Sequence, residues 1–111
     1  MEKVTIKHKG KTIGKAICCD NIFSRGFGLM FRKRQMALIE LPAESLAMAA
    51  IHTFFMRFPI DVYWLDSKKQ IIGIKKHVRQ YSFAQPGKPA KYIFEAPAGK
   101  LWLKMGEKLS F

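Results

Sequence analysis

His52, Arg57 and Asp61 lie within one ten-residue stretch and are of types that could do chemistry together. An aspartate beside a histidine can hold the imidazole in one tautomer and let it act as a base. A guanidinium next to them can clamp an anion through two parallel hydrogen bonds. Arg25 and Glu95 offer a second opposite-charge pair. Each set also has a structural reading: Arg57 pairs with Asp61 or Glu95 at a strand bend, His52 satisfies buried backbone, and Arg25 with Glu95 ties a glycine-rich turn to a sheet. No nucleophile stands at a recognisable spacing from these groups, so structural pairing is the commoner outcome and no catalytic residue is assigned.

The chain carries 20 Lys and Arg against 8 acids, a formal charge of +12, which favours polyanionic partners and says nothing about fold. The densest groups are Arg32, Lys33 and Arg34, then Lys75, Lys76 and Arg79. They could form a phosphate-tracking face, with Tyr63 or Tyr81 as stacking platforms. Charge runs are more often solvated surface. A metal site is not expected, because His8, His52 and His77 fall on three separate segments and Cys18-Cys19 lacks the spacing of a thiolate pair. Adjacent cysteines bridge only through a strained ring, so reduced, packed thiols are expected. Gly26-Phe27-Gly28 matches no phosphate-binding motif, and no cofactor is expected.

The elements that must position these residues are mostly strands. Val4 and Ile6 alternate with lysines and threonine, Lys9-Gly10-Lys11 turns, and residues 12–19 return, with Ile13 and Ile17 facing a core. Residues 24–34 break the alternation and read as a turn or a single helical turn. Met36 to Leu41 is an apolar strand closed by Pro42. Residues 44–51 contain good helix formers, whereas the β-branched and aromatic content after Ile51 favours strand. Pro59 then bends the chain, since it has no backbone donor. Beyond it Ile60, Val62 and Trp64 share one face, with Asp61, Tyr63 and Leu65 opposite, and Asp66-Ser67-Lys68-Lys69 turns into a strand over 70–78. Tyr81 to Ala90 reads as a loop fixed by two prolines. In the strand after it, Tyr92, Phe94 and Ala96 point inward and Lys91, Ile93 and Glu95 outward. Lys100-Leu101-Trp102-Leu103-Lys104 is a compact connector, read as one helical turn, and residues 107–111 form a last strand.

Seven or eight short strands with one or two helical turns predict a mainly β single domain, a sandwich or partly closed barrel. With 111 residues and 49% apolar composition the chain can bury one core. No apolar run reaches the roughly 18 residues of a membrane span, and the alternating N-terminus is unlike a signal peptide. A cytoplasmic protein, monomer or weak dimer, with no membrane partner is expected.

Three segments together resemble one family. Arg25-Gly26-Phe27-Gly28-Leu29-Met30-Phe31-Arg32 is similar to its R-G-L-M-x-R element, with Phe27 inserted. The stretch from Ile51 to Val62 is similar to its central signature, and Tyr92-Ile93-Phe94-Glu95-Ala96-Pro97-Ala98-Gly99 to its Y-V-L-E-x-x-A-G element. On these motifs the chain is identified as a member of the small prokaryotic family named domain of unknown function 192, with the resemblance running from about Ala16 to Phe111. The resemblance implies a compact, mainly β domain and no established activity. Phe58 stands where many members have asparagine, and Glu107 where aspartate is usual. The reading that follows is a ligand-binding or accessory module with a shallow polar site at the central bend. The alternatives are a nucleic-acid-binding barrel and an enzyme acting on a small anion.

Overall fold

Strand β1 (Lys3–His8) turns tightly into β2 (Lys11–Cys19). Lys9 and Gly10 have φ of 53° and 78°, the two left-handed residues that a two-residue hairpin needs to match the strand twist. In the computed structural model, which describes residues 3–19, 36–47, 49, 51–52, 58–79 and 82–111, seven more strands follow. They are β3 (Met36–Ser45), β4 (Ile51–His52), β5 (Ile60–Leu65), β6 (Ile71–Val78), β7 (Phe83–Ala84), β8 (Ala90–Pro97) and β9 (Leu109–Ser110). Among the described residues there is no helix, and the connector from Leu101 to Lys104 is irregular chain, not the helical turn that its composition suggests.

Seven strands form one sheet in the order β6-β5-β8-β3-β2-β1-β9, and β4 pairs with β7 in a separate ribbon. All of these pairings are antiparallel except β2 with β3. The two ends of the large sheet meet. Gln70 bridges Lys108, Ile71 N–H donates to Glu107 O at 2.8 Å, and Leu109 N–H donates to Lys69 O at 3.0 Å. The result is a curled, partly closed barrel, which leaves fewer backbone groups on open edges.

The middle of the sheet is buried on both faces. Its inner face collects Ile6, Ala16, Leu38, Tyr63, Ile71, Phe94 and Leu109 among others, at least one side chain from every strand of the large sheet, with Leu103 added from the connector. Its outer face carries Ile17, Ala37, Ile39, Val62, Trp64 and Ile93, covered by Ala49, Phe58 and Ala84 of β7. Strand β5 is buried at every position, and its two faces divide as the alternation predicts. Strand β8 divides its faces as the alternation predicts, with Ile93 and Glu95 outward, but both are buried, because the outer face of this central strand is covered as well as the inner one.

Other departures are local. Pro42 does not end β3; the strand continues through it because the ladder to β8 is irregular between Glu40 and Ser45, where no proline donor is needed. Ile13 is the extra residue of a bulge opposite Ile6 and Lys7. The bulge reverses the alternation, so Ile13 packs with the inner cluster while Ile17 packs with the outer one. The β5–β6 turn follows its sequence closely. Asp66 Oδ1 accepts from Lys68 N–H at 2.9 Å and from Gln70 N–H at 3.0 Å, and Lys69 takes the left-handed position with φ 66°.

Candidate functional site

Asp61 is the second residue of β5 and is 1% exposed. On the β6 side, Ile60 pairs with Val78 and Val62 with Lys75, so Asp61 opposes two residues, Lys76 and His77. This is a bulge, and His77 adopts φ 54° within it. Asp61 Oδ1 accepts the His77 amide at 2.8 Å. Oδ2 accepts the Gly99 amide at 2.9 Å and lies 2.8 Å from Lys76 Nζ. One carboxylate therefore links β5, β6 and the turn after β8.

Lys76 is as fully engaged. Its ammonium also donates to Leu101 O at 2.8 Å and to Tyr63 Oη at 3.0 Å, so its three protons have three acceptors. Tyr63 O–H in turn donates to Leu101 O at 3.1 Å. The same ammonium lies 4.3 Å from the centre of the Trp102 ring. Burial alone would raise the Asp61 carboxyl, but the Lys76 ammonium and the two amides outweigh it and hold the group below its ordinary 3.8. Burial would lower Lys76, and Asp61 with Tyr63 reverses that, so Lys76 stays above its ordinary 10.5.

A second ionic cluster fastens the other end of the sheet. Glu107 Oε1 accepts the Lys104 amide at 2.7 Å, and Oε2 lies 3.2 Å from Lys9 Nζ. The His8 Nε2 is 3.0 Å from Oε2, without the alignment of a hydrogen bond. The Lys104 amide first, then the two side chains, holds Glu107 at about 2.

The candidate residues from sequence do not all meet. Asp61 pairs in register with Ala96 and Val62 with Glu95. Cross-strand partners share a face, so Asp61 points to the inner face and Glu95 to the outer one. The backbone of His52 pairs with Phe83 in the β4–β7 ribbon, whose Ala84 packs on the outer face. Arg25 and Arg57 lie outside the described residues, as do Arg32, Lys33, Arg34 and Tyr81. Tyr63 is fully buried and cannot stack on a base. The run from Lys75 to Arg79 also divides: Lys75 and Arg79 are exposed, while Lys76 turns inward to Asp61. Among the described residues no group of three or more metal-binding side chains comes together.

Glu95 is 8% exposed and has an interaction partner of its own. Its neighbours on the outer face are Ala37 and Val62 across the ladders and Ile93 and Pro97 along its strand. None of these side chains carries a hydrogen-bond donor. The carboxylate thus lies in an apolar patch of sheet, the environment in which a charge is costly unless something above it supplies donors. Trp102, 76% exposed between Lys100 and Lys104, is the residue that sequence reasoning missed as a surface feature. Its signal was the alternation of Lys100-Leu101-Trp102-Leu103-Lys104, which read as a strand puts both leucines inward.

Curled sheet, filled interior and ionic staples at the mouth and seam define a small, partly closed β-barrel domain. The chain belongs to the DUF192 family, described as "Uncharacterized ACR", whose sequence profile it matches over residues 3–111. A UPF0127 protein of Pyrococcus furiosus is 39% identical over 108 residues, covering 93% of this chain and 92% of that protein. Two solved structures share the fold. A protein of unknown function from Novosphingobium aromaticivorans superposes with TM-score 0.82 at 17% identity, covering 98% of this chain and 85% of that one. A protein described as a "putative transcription regulator" from Sinorhizobium meliloti superposes with TM-score 0.81 at 19% identity, covering 97% of this chain and 91% of that one. No helix among the described residues is long and apolar enough to cross a membrane.

Proposed function

We propose that the domain is a cytoplasmic binding module whose small-ligand site lies on the outer face, over Glu95 and beside the ribbon that carries His52. The observation that supports this reading is the 8% exposure of Glu95 among Ala37, Val62, Ile93 and Pro97. A buried carboxylate on an otherwise apolar face is a directional acceptor that a ligand donor can share with the partner Glu95 already has. Arg57 and Arg25 complete the proposed set. Asp61, the third acid-base candidate, serves as an internal staple on the opposite face.

The test is a thermal-shift screen of small amines, amino acids and carboxylates against the wild-type chain and Glu95→Gln. A compound that raises Tm in the wild type and not in a folded Glu95→Gln variant supports the site. Compounds that stabilise both chains equally place binding elsewhere, and their response in Asp61→Asn then shows whether the inner face is involved.

A further inference from the structure

We infer that Trp102 and its flanking lysines form a stacking site for single-stranded nucleic acid, on a surface separate from the Glu95 patch. Trp102 is 76% exposed, yet it does not stand alone on a loose loop. The Lys76 ammonium is 4.3 Å from its ring centre, and that ammonium is fixed by Asp61, Tyr63 Oη and Leu101 O. One ring face therefore rests on a rigid cation while the other faces solvent. An indole held this way loses little freedom when a base stacks on it.

The surroundings match the phosphates that would accompany that base. Along the connector Leu101 is half-buried and Leu103 buried, while Lys100, Trp102 and Lys104 are exposed, which places the two cations on either side of the ring along the chain. The nearby acids are already committed: Asp61 to Lys76, and Glu107 to His8, Lys9 and the Lys104 amide. With a formal charge of +12 behind it, this surface is complementary to a polyanion. An aromatic face favours single strands over duplex, because duplex bases are already stacked on one another.

The test is fluorescence anisotropy with labelled oligothymidine at low ionic strength, repeated at rising salt. Trp102→Phe should bind as the wild type does, and Trp102→Ala should weaken binding about tenfold. The double variant Lys100→Glu, Lys104→Glu should flatten the logarithmic salt dependence by about 1.4, two phosphate contacts' worth. Lys76 is left unchanged because its loss would disturb Asp61. Thermal unfolding confirms that each variant is folded. The inference is overturned if oligothymidine does not bind, if Trp102→Ala binds as tightly as Trp102→Phe, or if duplex DNA or anionic vesicles compete as well as the single strand.

Discussion

Asp61 and Glu95 are one register step apart on paired strands, and their carboxylates leave the sheet on opposite faces. Asp61 enters the barrel mouth, where Lys76 and two amides meet it, while Glu95 enters the outer patch of Ala37, Val62, Ile93 and Pro97. Two acids that look alike in sequence therefore have different consequences when changed.

Asp61→Asn should cost about 1 to 3 kcal/mol, since it leaves the one-third-exposed Lys76 without its counter-ion and replaces an acceptor of two amides. Lys76→Met should cost a similar amount, and the double variant less than the sum. Urea unfolding of the four chains measures this. An additive result would mean that the ion pair carries no coupling.

Acid should weaken the fold through the same group. The Asp61 carboxyl is depressed in the folded chain, so its contribution is complete above its ordinary 3.8 and fades as pH falls below it. Glu107, held at about 2, adds a contribution lost between its ordinary 4.5 and about 2. Glu107→Gln should therefore be less acid-sensitive over that window. Equal pH dependence of Tm in the two chains would show that its contacts are not maintained in solution.

The two tryptophans should separate by environment. Trp64 is 1% exposed and donates from Nε1 to Ala49 O at 2.8 Å, so Trp64→Phe should cost about 1 to 3 kcal/mol. Trp102→Phe should shift stability by no more than about 0.5 kcal/mol. Acrylamide should quench Trp64→Phe emission strongly and Trp102→Phe emission weakly. Similar quenching of both would mean that the connector packs differently.

Gly10 and Gly14 are two of the four described glycines with positive φ. Gly10 has open space around it, so Gly10→Ala should cost only the conformational penalty, about 1 kcal/mol. At Gly14, with φ 144°, an added Cβ would also collide with Met36 Cε, so Gly14→Ala should cost more. Chemical denaturation ranks the two, and the reverse order would count against the bulge at Ile13.

Much of the fold was legible in the chain. Alternation over residues 60–65 assigned both faces of β5, Lys9-Gly10 marked the β1–β2 hairpin, and Asp66 to Lys69 marked the β5–β6 turn. These features depend on neighbours in sequence, and local sterics and hydrogen bonding decide them. The burial of Ile93 and Glu95 was not legible, because alternation cannot distinguish a central strand covered twice from one with a wet side. The bulge that brings Lys76 to Asp61 was also hidden. Ion pairing at 2.8 Å depends on the register between strands that the turn and the bulge set together, and the same closure at the barrel mouth leaves Trp102 outside over Lys76. Composition and local pattern determined a basic, mainly β domain; only three-dimensional closure decided which charges neutralise one another, because side-chain electrostatics act through space and not along the chain.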